Sequence, residues 1–151
     1  MNQTGRAAEA VANQAQYCQL LEGVLSPWHP RHVNCLNQLG IFEIERGQLG
    51  NAEAHLGQAI NLMRAIEGEG SARAANMALQ LAEVVRRAGN ADKARRLLAD
   101  AVARFPEGSL GWLNANGYLV DALLELAAFD EAKTVLDQME KHAQLQWAND
   151  P

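Results

Sequence analysis

Three side chains near the start of the chain have the types and spacing of metal ligands: His29, His32 and Cys35 recur every three residues. Imidazole and thiolate suit zinc, and a three-residue step keeps side chains on one helix face. Two features weigh against a site. Pro30 is expected to break a helix between His29 and His32, and no fourth ligand or second cluster accompanies the three, so the segment reads as a turn without metal. Glu67-Gly68-Glu69-Gly70 has the glycines of a phosphate-cradling loop but charge of the wrong sign. No nucleophile–base–acid arrangement is visible, so the chain is not read as an enzyme and no cofactor is implied. His55 and His142 read as solvated surface residues. Arg86-Arg87 and Arg95-Arg96 form a basic cluster that reads chiefly as a solvated face. Cys18 and Cys35, the only cysteines, are expected to pack as small hydrophobes, with a disulfide as the lesser alternative.

The elements that would position such groups follow from composition and periodicity. The 151 residues, 48% apolar and 21% charged, suit one soluble core. Alanine and leucine dominate over aromatics, which favours helices over sheets. A net charge of -5 argues against nucleic acid, whose phosphates demand a basic footprint. No run approaches the roughly 18 apolar residues that would insert in a membrane. Residues 1–15 lack the continuous apolar core of a secretory signal, and reduced cysteines would fit a cytoplasmic location.

Superposing the chain on itself reveals three copies of one pattern. The first holds Asn34, Gln38, Leu39, Gly40, Gly47, Ala52, Leu56 and Ala59. The second holds Asn76, Gln80, Leu81, Ala82, Gly89, Ala94, Leu98 and Ala101, and the third Asn114, Tyr118, Leu119, Val120, Ala127, Ala132, Leu136 and Met139. The copies lie 42 and 38 residues apart, yet the step from the leading Asn to the small residue opening the second half is always 18. Extra residues therefore fall between copies. Each reads as two helices and a turn: first helices over 31–46, 72–88 and 110–127, second helices over 51–66, 91–105 and 130–146. Gly47 and Gly89 supply a left-handed helix end, and Ser71 an N-cap. Leu56, Leu98 and Leu136 are each expected to be buried between paired helices. Before the first unit, residues 5–25 carry an apolar stripe of Val11, Ala15, Cys18, Leu21 and Leu25. The chain thus divides into an N-terminal capping helix and turn (1–30), three repeats (31–66, 72–106 and 109–146) and a tail (147–151).

This pattern resembles the tetratricopeptide repeat family, and His29-Pro30 with Cys35-Leu36-Asn37-Gln38-Leu39-Gly40, together with the 42-residue step, resembles its kinesin light chain-type variant. The resemblance implies an all-α short right-handed superhelix, an α-solenoid. Glu43 and Asn116 stand where the family often has aromatics. Trp112 lies four residues ahead of the register set by Ala132, which one extra turn in the third unit would reconcile. In such stacks the first helices line a concave groove. Carried over by register, the groove residues are Asn34, Gln38, Ile41 and Glu45, then Asn76, Gln80, Glu83 and Arg87, then Asn114, Tyr118, Asp121 and Glu125. Amides repeated at one height suit an extended peptide backbone, with Ile41, Tyr118 and Arg87 adding selectivity.

The expectation is therefore a protein- or peptide-binding adaptor. A small secretion-type chaperone and a self-associating scaffold are the alternatives. Solenoids need their end flanks covered, and the third unit has no cover of its own. Val135 and Met139 on its last helix, with Trp147 behind, are the candidates for a homodimer contact, unless Trp147 folds back over that flank.

Overall fold

The computed structural model describes residues 3–26 and 28–148, with side chains described over 8–26 and 28–145. It is all helical: α1 (Gln3–Val24), α2 (Pro30–Glu45), α3 (Leu49–Glu67), α4 (Ala72–Arg87), α5 (Ala91–Val102), α6 (Leu110–Glu125) and α7 (Phe129–Ala148). Helices α2/α3, α4/α5 and α6/α7 form hairpins, and α3 packs on α4 and α5 on α6 to stack them. Helix α1 packs on α2, ahead of the first hairpin.

The register read from the repeats is the one observed. Pro30, Ala72 and Leu110 open the first helices and Leu49, Ala91 and Phe129 the second, each series at steps of 42 and 38. The four-residue difference arises because α3 runs 19 residues and α5 only 12, with a longer link after α5. Helices α2, α4 and α6 are 16 residues each, so the extra turn expected in the third unit is absent. Trp112 simply sits near the start of α6, buried, with its ring edge-on to His142 at 4.9 Å between centroids.

Local chemistry explains the helix ends. Ser71, Asn90 and Ser109 cap α4, α5 and α6 by accepting from the backbone N–H three residues on, at 3.1, 3.1 and 3.2 Å. Pro30 opens α2 rather than breaking it, because a first-turn residue needs no N–H donor. His29 Nδ1 caps the same helix, accepting from Arg31 N at 3.2 Å. Each first helix closes alike: Gln48, Asn90 and Ala128 N–H donate to Glu43, Val85 and Leu123 carbonyls at 2.9, 3.0 and 2.9 Å. That closure needs a left-handed residue. Gly47 (φ 72°) and Gly89 (φ 86°) supply it, and Ala127 (φ 55°) does so without a glycine's freedom.

One core runs through the hairpins. Leu56, Met63 and Leu98 are fully buried, with Ala52, Ala59, Ala94 and Ala101 letting the helices approach. A Cβ on Gly40 would lie 2.7 Å from Leu56 Cγ, so the glycine makes room for that leucine. Leu136 departs from expectation and is 49% exposed. Val120 stands at the register position of Gly40, and α7 packs chiefly on α6, whereas α3 and α5 each also pack on a following hairpin. Ion pairs tie the units: Arg64 of α3 meets Asp100 of α5 at 2.8 Å, and Arg86 of α4 meets Glu125 of α6.

A second, smaller core joins α1 to α2 through Cys18, Leu21, Cys35 and Leu39, with Val11, Ala15 and Leu25 around it, the stripe read from the sequence. Contrary to expectation the cysteines form a disulfide, Cys18–Cys35, with Cα atoms 5.6 Å apart. The apolar stripe of α1 brings them together across one interface, which a 17-residue sequence separation does not reveal.

Candidate peptide groove

The first helices place their outward positions on one face. Asn34 and Gln38 of α2, Asn76 and Gln80 of α4, and Asn114 and Tyr118 of α6 are all exposed, while Val33, Ala75, Leu79 and Ala115 beside them are buried. Because these residues recur at one register, the side chains meet across helices. A recess of about 430 Å³ is lined by Ile41 and Ile44 from α2, Asn76, Leu79, Gln80 and Glu83 from α4, and Asn114 and Tyr118 from α6. Its floor is apolar and its rim is amide and phenol, the arrangement that buries a side chain while offering partners to a backbone.

Neighbouring recesses share walls with it. One of about 260 Å³ carries Asn34, Asn37, Arg73, Asn76 and Gln80 between α2 and α4. Another, of about 320 Å³, lies along α6 over Leu113, Asn114, Gly117, Tyr118 and Asp121. Nine of the twelve expected groove residues line one or more recesses: Asn34, Gln38, Ile41, Asn76, Gln80, Glu83, Asn114, Tyr118 and Asp121. Glu45, Arg87 and Glu125 are exposed but line none of them. They sit in the last turn of each helix, and Glu125 is drawn into an ion pair with Arg86. Arg86 also chelates Glu83, through Nε at 2.9 Å and Nη2 at 3.0 Å from the two carboxylate oxygens. That hydrogen bonding to Glu83 raises the Arg86 pKa, so the groove edge carries a fixed pair rather than a free cation.

Sequence reading missed Ile44, Asn37, Arg73 and Leu79, which lie beside the register positions, and it missed a recess that Gln14 and Tyr17 of α1 line together with Asn34 and Gln38. A polar signal was present in Gln14 and Tyr17, but α1 carries no repeat pattern from which to project a face.

Other expected sites resolve differently. Of the candidate metal trio, His29 caps α2, Cys35 is in the disulfide, and His32 is buried with Nε2 3.6 Å from Glu22 Oε1. No grouping of three or more His, Cys, Asp or Glu placed to hold a metal occurs among the described residues. His55 is not a free surface residue, since its Nδ1 lies 2.8 Å from Oε2 of the buried Glu43. A carboxylate replaces the family's aromatic there because an imidazole on the facing helix meets it. Asn116 is likewise buried and satisfied, donating to the Trp112 carbonyl at 2.9 Å. His142 packs on Trp112 and lies 3.0 Å from Glu107, not in open solvent. Val135 and Met139 turn toward the core, so the exposed apolar residues that share a side of α7 are Phe129 and Leu136, with Leu145 on the opposite side. The Trp147 side chain lies outside the described residues. No described helix is long and apolar enough to cross a membrane.

Stacked helical hairpins with polar-rimmed recesses along their first helices define an α-solenoid. The family pattern described as "Tetratricopeptide repeat" matches residues 32–107, and the chain belongs to that family, whose repeats generally serve as protein-interaction modules. No curated protein sequence matches the chain. Solved structures share the fold. A kinesin light chain-like protein of Podosopora anserina, with nearly identical tetratricopeptide-like repeats, is 20% identical at a TM-score of 0.83, covering 97% of this chain and 71% of that one. A singly substituted form of that protein is 21% identical at a TM-score of 0.82, over 95% and 70% of the two chains. BtubC (BKLC) from P. vanneervenii is 15% identical at a TM-score of 0.84, covering 97% of this chain and 60% of that one.

Proposed function

We propose that this chain is an adaptor that holds an extended peptide segment of a protein partner along the face of α2, α4 and α6. The observation that carries the reading is the recess shared by all three first helices, with Ile41, Ile44 and Leu79 beneath Asn76, Gln80, Asn114 and Tyr118. Such a surface takes an apolar side chain inward and engages the backbone on either side of it. Paired amides donate to and accept from a peptide in the same way that a sheet edge would, which gives affinity with modest sequence preference. The interaction is non-covalent and no catalytic role is assigned. A secretion-type chaperone would use the same groove, and substrate yield on co-expression would distinguish it. The expectation of a cytoplasmic location rests on residues 1–15 lacking a secretory signal's apolar core and on reduced thiols, and the disulfide removes the second of these supports.

The test is the double substitution Asn76→Ala/Gln80→Ala. Peptides selected on the wild-type protein from a random library should bind the variant roughly 5- to 150-fold more weakly, the loss of about 1–3 kcal/mol in backbone-directed hydrogen bonds. Helical circular dichroism should be unchanged, since both residues are exposed. Calorimetry returning equal affinities would move binding off this face.

A further inference from the structure

The run of recesses does not stop at α2. A further one, of about 240 Å³, is lined by Gln14 and Tyr17 of α1 together with Arg31, Asn34, Cys35 and Gln38 of α2. It shares Asn34 with the recess between α2 and α4, and Gln38 is itself one of the register positions. Helix α1 thus stands beside α2 on the groove side, as α4 does on the other. Four helices abreast at about 10 Å set the groove's ends roughly 30 Å apart, the reach of about nine extended residues.

What fixes this wall differs from what fixes the others. The hairpins share a large core, whereas α1 is held by four buried side chains, two of which are the bonded cysteines. Gln14 Nε2 donates to the Cys35 carbonyl at 3.3 Å, and Glu22 lies 3.6 Å from His32. Cys35 is at once a lining residue of the recess and one half of the crosslink.

We propose that α1 is a fourth wall of the peptide groove, and that the Cys18–Cys35 disulfide holds it there, so that the oxidised chain grips a segment the reduced chain releases. The proposal rests on the groove reading above. The recess would take a polar residue that accepts hydrogen bonds from Arg31 and Gln38 and donates to Oε1 of Gln14, whose Nε2 is engaged by Cys35, with Tyr17, 46% exposed, as the apolar side of the grip. Opening the latch requires a dithiol reductant. Its two thiols supply two electrons and two protons, the Sγ–Sγ bond breaks, Cys18 and Cys35 become thiols, and the reductant leaves as its own disulfide.

The probe is a fluorescein-labelled peptide of about twelve residues, long enough to span the groove, selected from a random library on the oxidised protein. Anisotropy titrations compare wild type, Tyr17→Ala and Asn76→Ala/Gln80→Ala, each with and without dithiothreitol. Tyr17→Ala and reduction should each weaken wild-type binding about five- to tenfold, the worth of one well-placed side chain. In the Tyr17→Ala background reduction should have little further effect. Circular dichroism of the reduced protein should lose no more helix than α1 contains, which keeps general unfolding separate.

If Asn76→Ala/Gln80→Ala weakens binding while Tyr17→Ala and reduction do not, the fourth wall is refuted and the groove reading stands. Unchanged binding in Asn76→Ala/Gln80→Ala overturns both. Reduction that acts equally with and without Tyr17, or not at all when Tyr17→Ala does, refutes the latch.

Discussion

At the scale of single residues, three equivalent leucines show how context decides burial. Leu98 is 1% exposed between α5 and its neighbours on both sides, while Leu136 is 49% exposed. Leu98→Ala should therefore cost about 2–5 kcal/mol in urea melts, and Leu136→Ala should cost well under half of that. Equal losses would show that α7 is covered in solution by something other than α6. Ala127 offers the opposite case. It holds a left-handed backbone at φ 55° where the two earlier turns have glycine, at a strain of about 1–2 kcal/mol for an L-residue. Part of the relief is offset by glycine's greater freedom when unfolded, so Ala127→Gly should stabilise the chain by about 0.5–1 kcal/mol. A lower melting point in that variant would contradict the turn. The repeat pattern was legible because small residues, turn glycines and the groove amides occupy the same heights in every copy. Glu43, His55 and His142 were not, because their burial depends on partners from helices whose relative rotation no spacing states.

Among the helices, partly exposed ion pairs link successive hairpins at their edges. Asp100 on α5 accepts from Arg104 one turn on and from Arg64 on α3, at 2.9 and 2.8 Å. The Arg104 hydrogen bond first, with the charges of Arg104 and Arg64, holds the Asp100 carboxyl below its ordinary range despite some burial. A carboxylate whose pKa is lower in the folded state contributes stability above the unfolded value of about 4, and that contribution disappears as pH falls through the folded value. Asp100→Asn should then lose no more than about 1 kcal/mol at pH 7, since the pair is partly exposed. Its stability should also fall less steeply than wild type's below about pH 4. Parallel acid limbs in urea melts of the two proteins would show that the pair adds nothing. Helix α1 belongs at this scale too. Its apolar stripe and its place as a cap on the first repeat were plain in the sequence, but the bond between the two cysteines was not, because no spacing states which side of α2 the stripe meets.

At the scale of the whole molecule, α7 leaves a flank open among the described side chains, with Leu136 49% and Phe129 64% exposed on the same side of the helix. Apolar patches of a few hundred Å² commonly mark contacts between molecules, and a two-fold dimer would cover the same flank twice. Met139 faces the core and is the wrong probe, since a charge there would unfold the last hairpin. Leu136→Glu places the charge on the open side. Sedimentation velocity should show wild type associating as concentration rises a hundredfold or so, with Leu136→Glu remaining monomeric at every concentration. A wild-type protein that stays monomeric throughout would leave the flank merely solvated.

Each hairpin packs chiefly on the hairpin beside it, α3 on α4 and α5 on α6. Nothing in the second unit is built to fit the far end of the chain, so a duplicated or deleted hairpin would meet a surface much like the one it replaced. The groove's length is then a heritable quantity that changes in whole steps, one pair of helices at a time, rather than by gradual remodelling. The unequal steps of 42 and 38 residues are absorbed by a long α3, a short α5 and the longer link that follows it, while the lining helices keep a common length of 16.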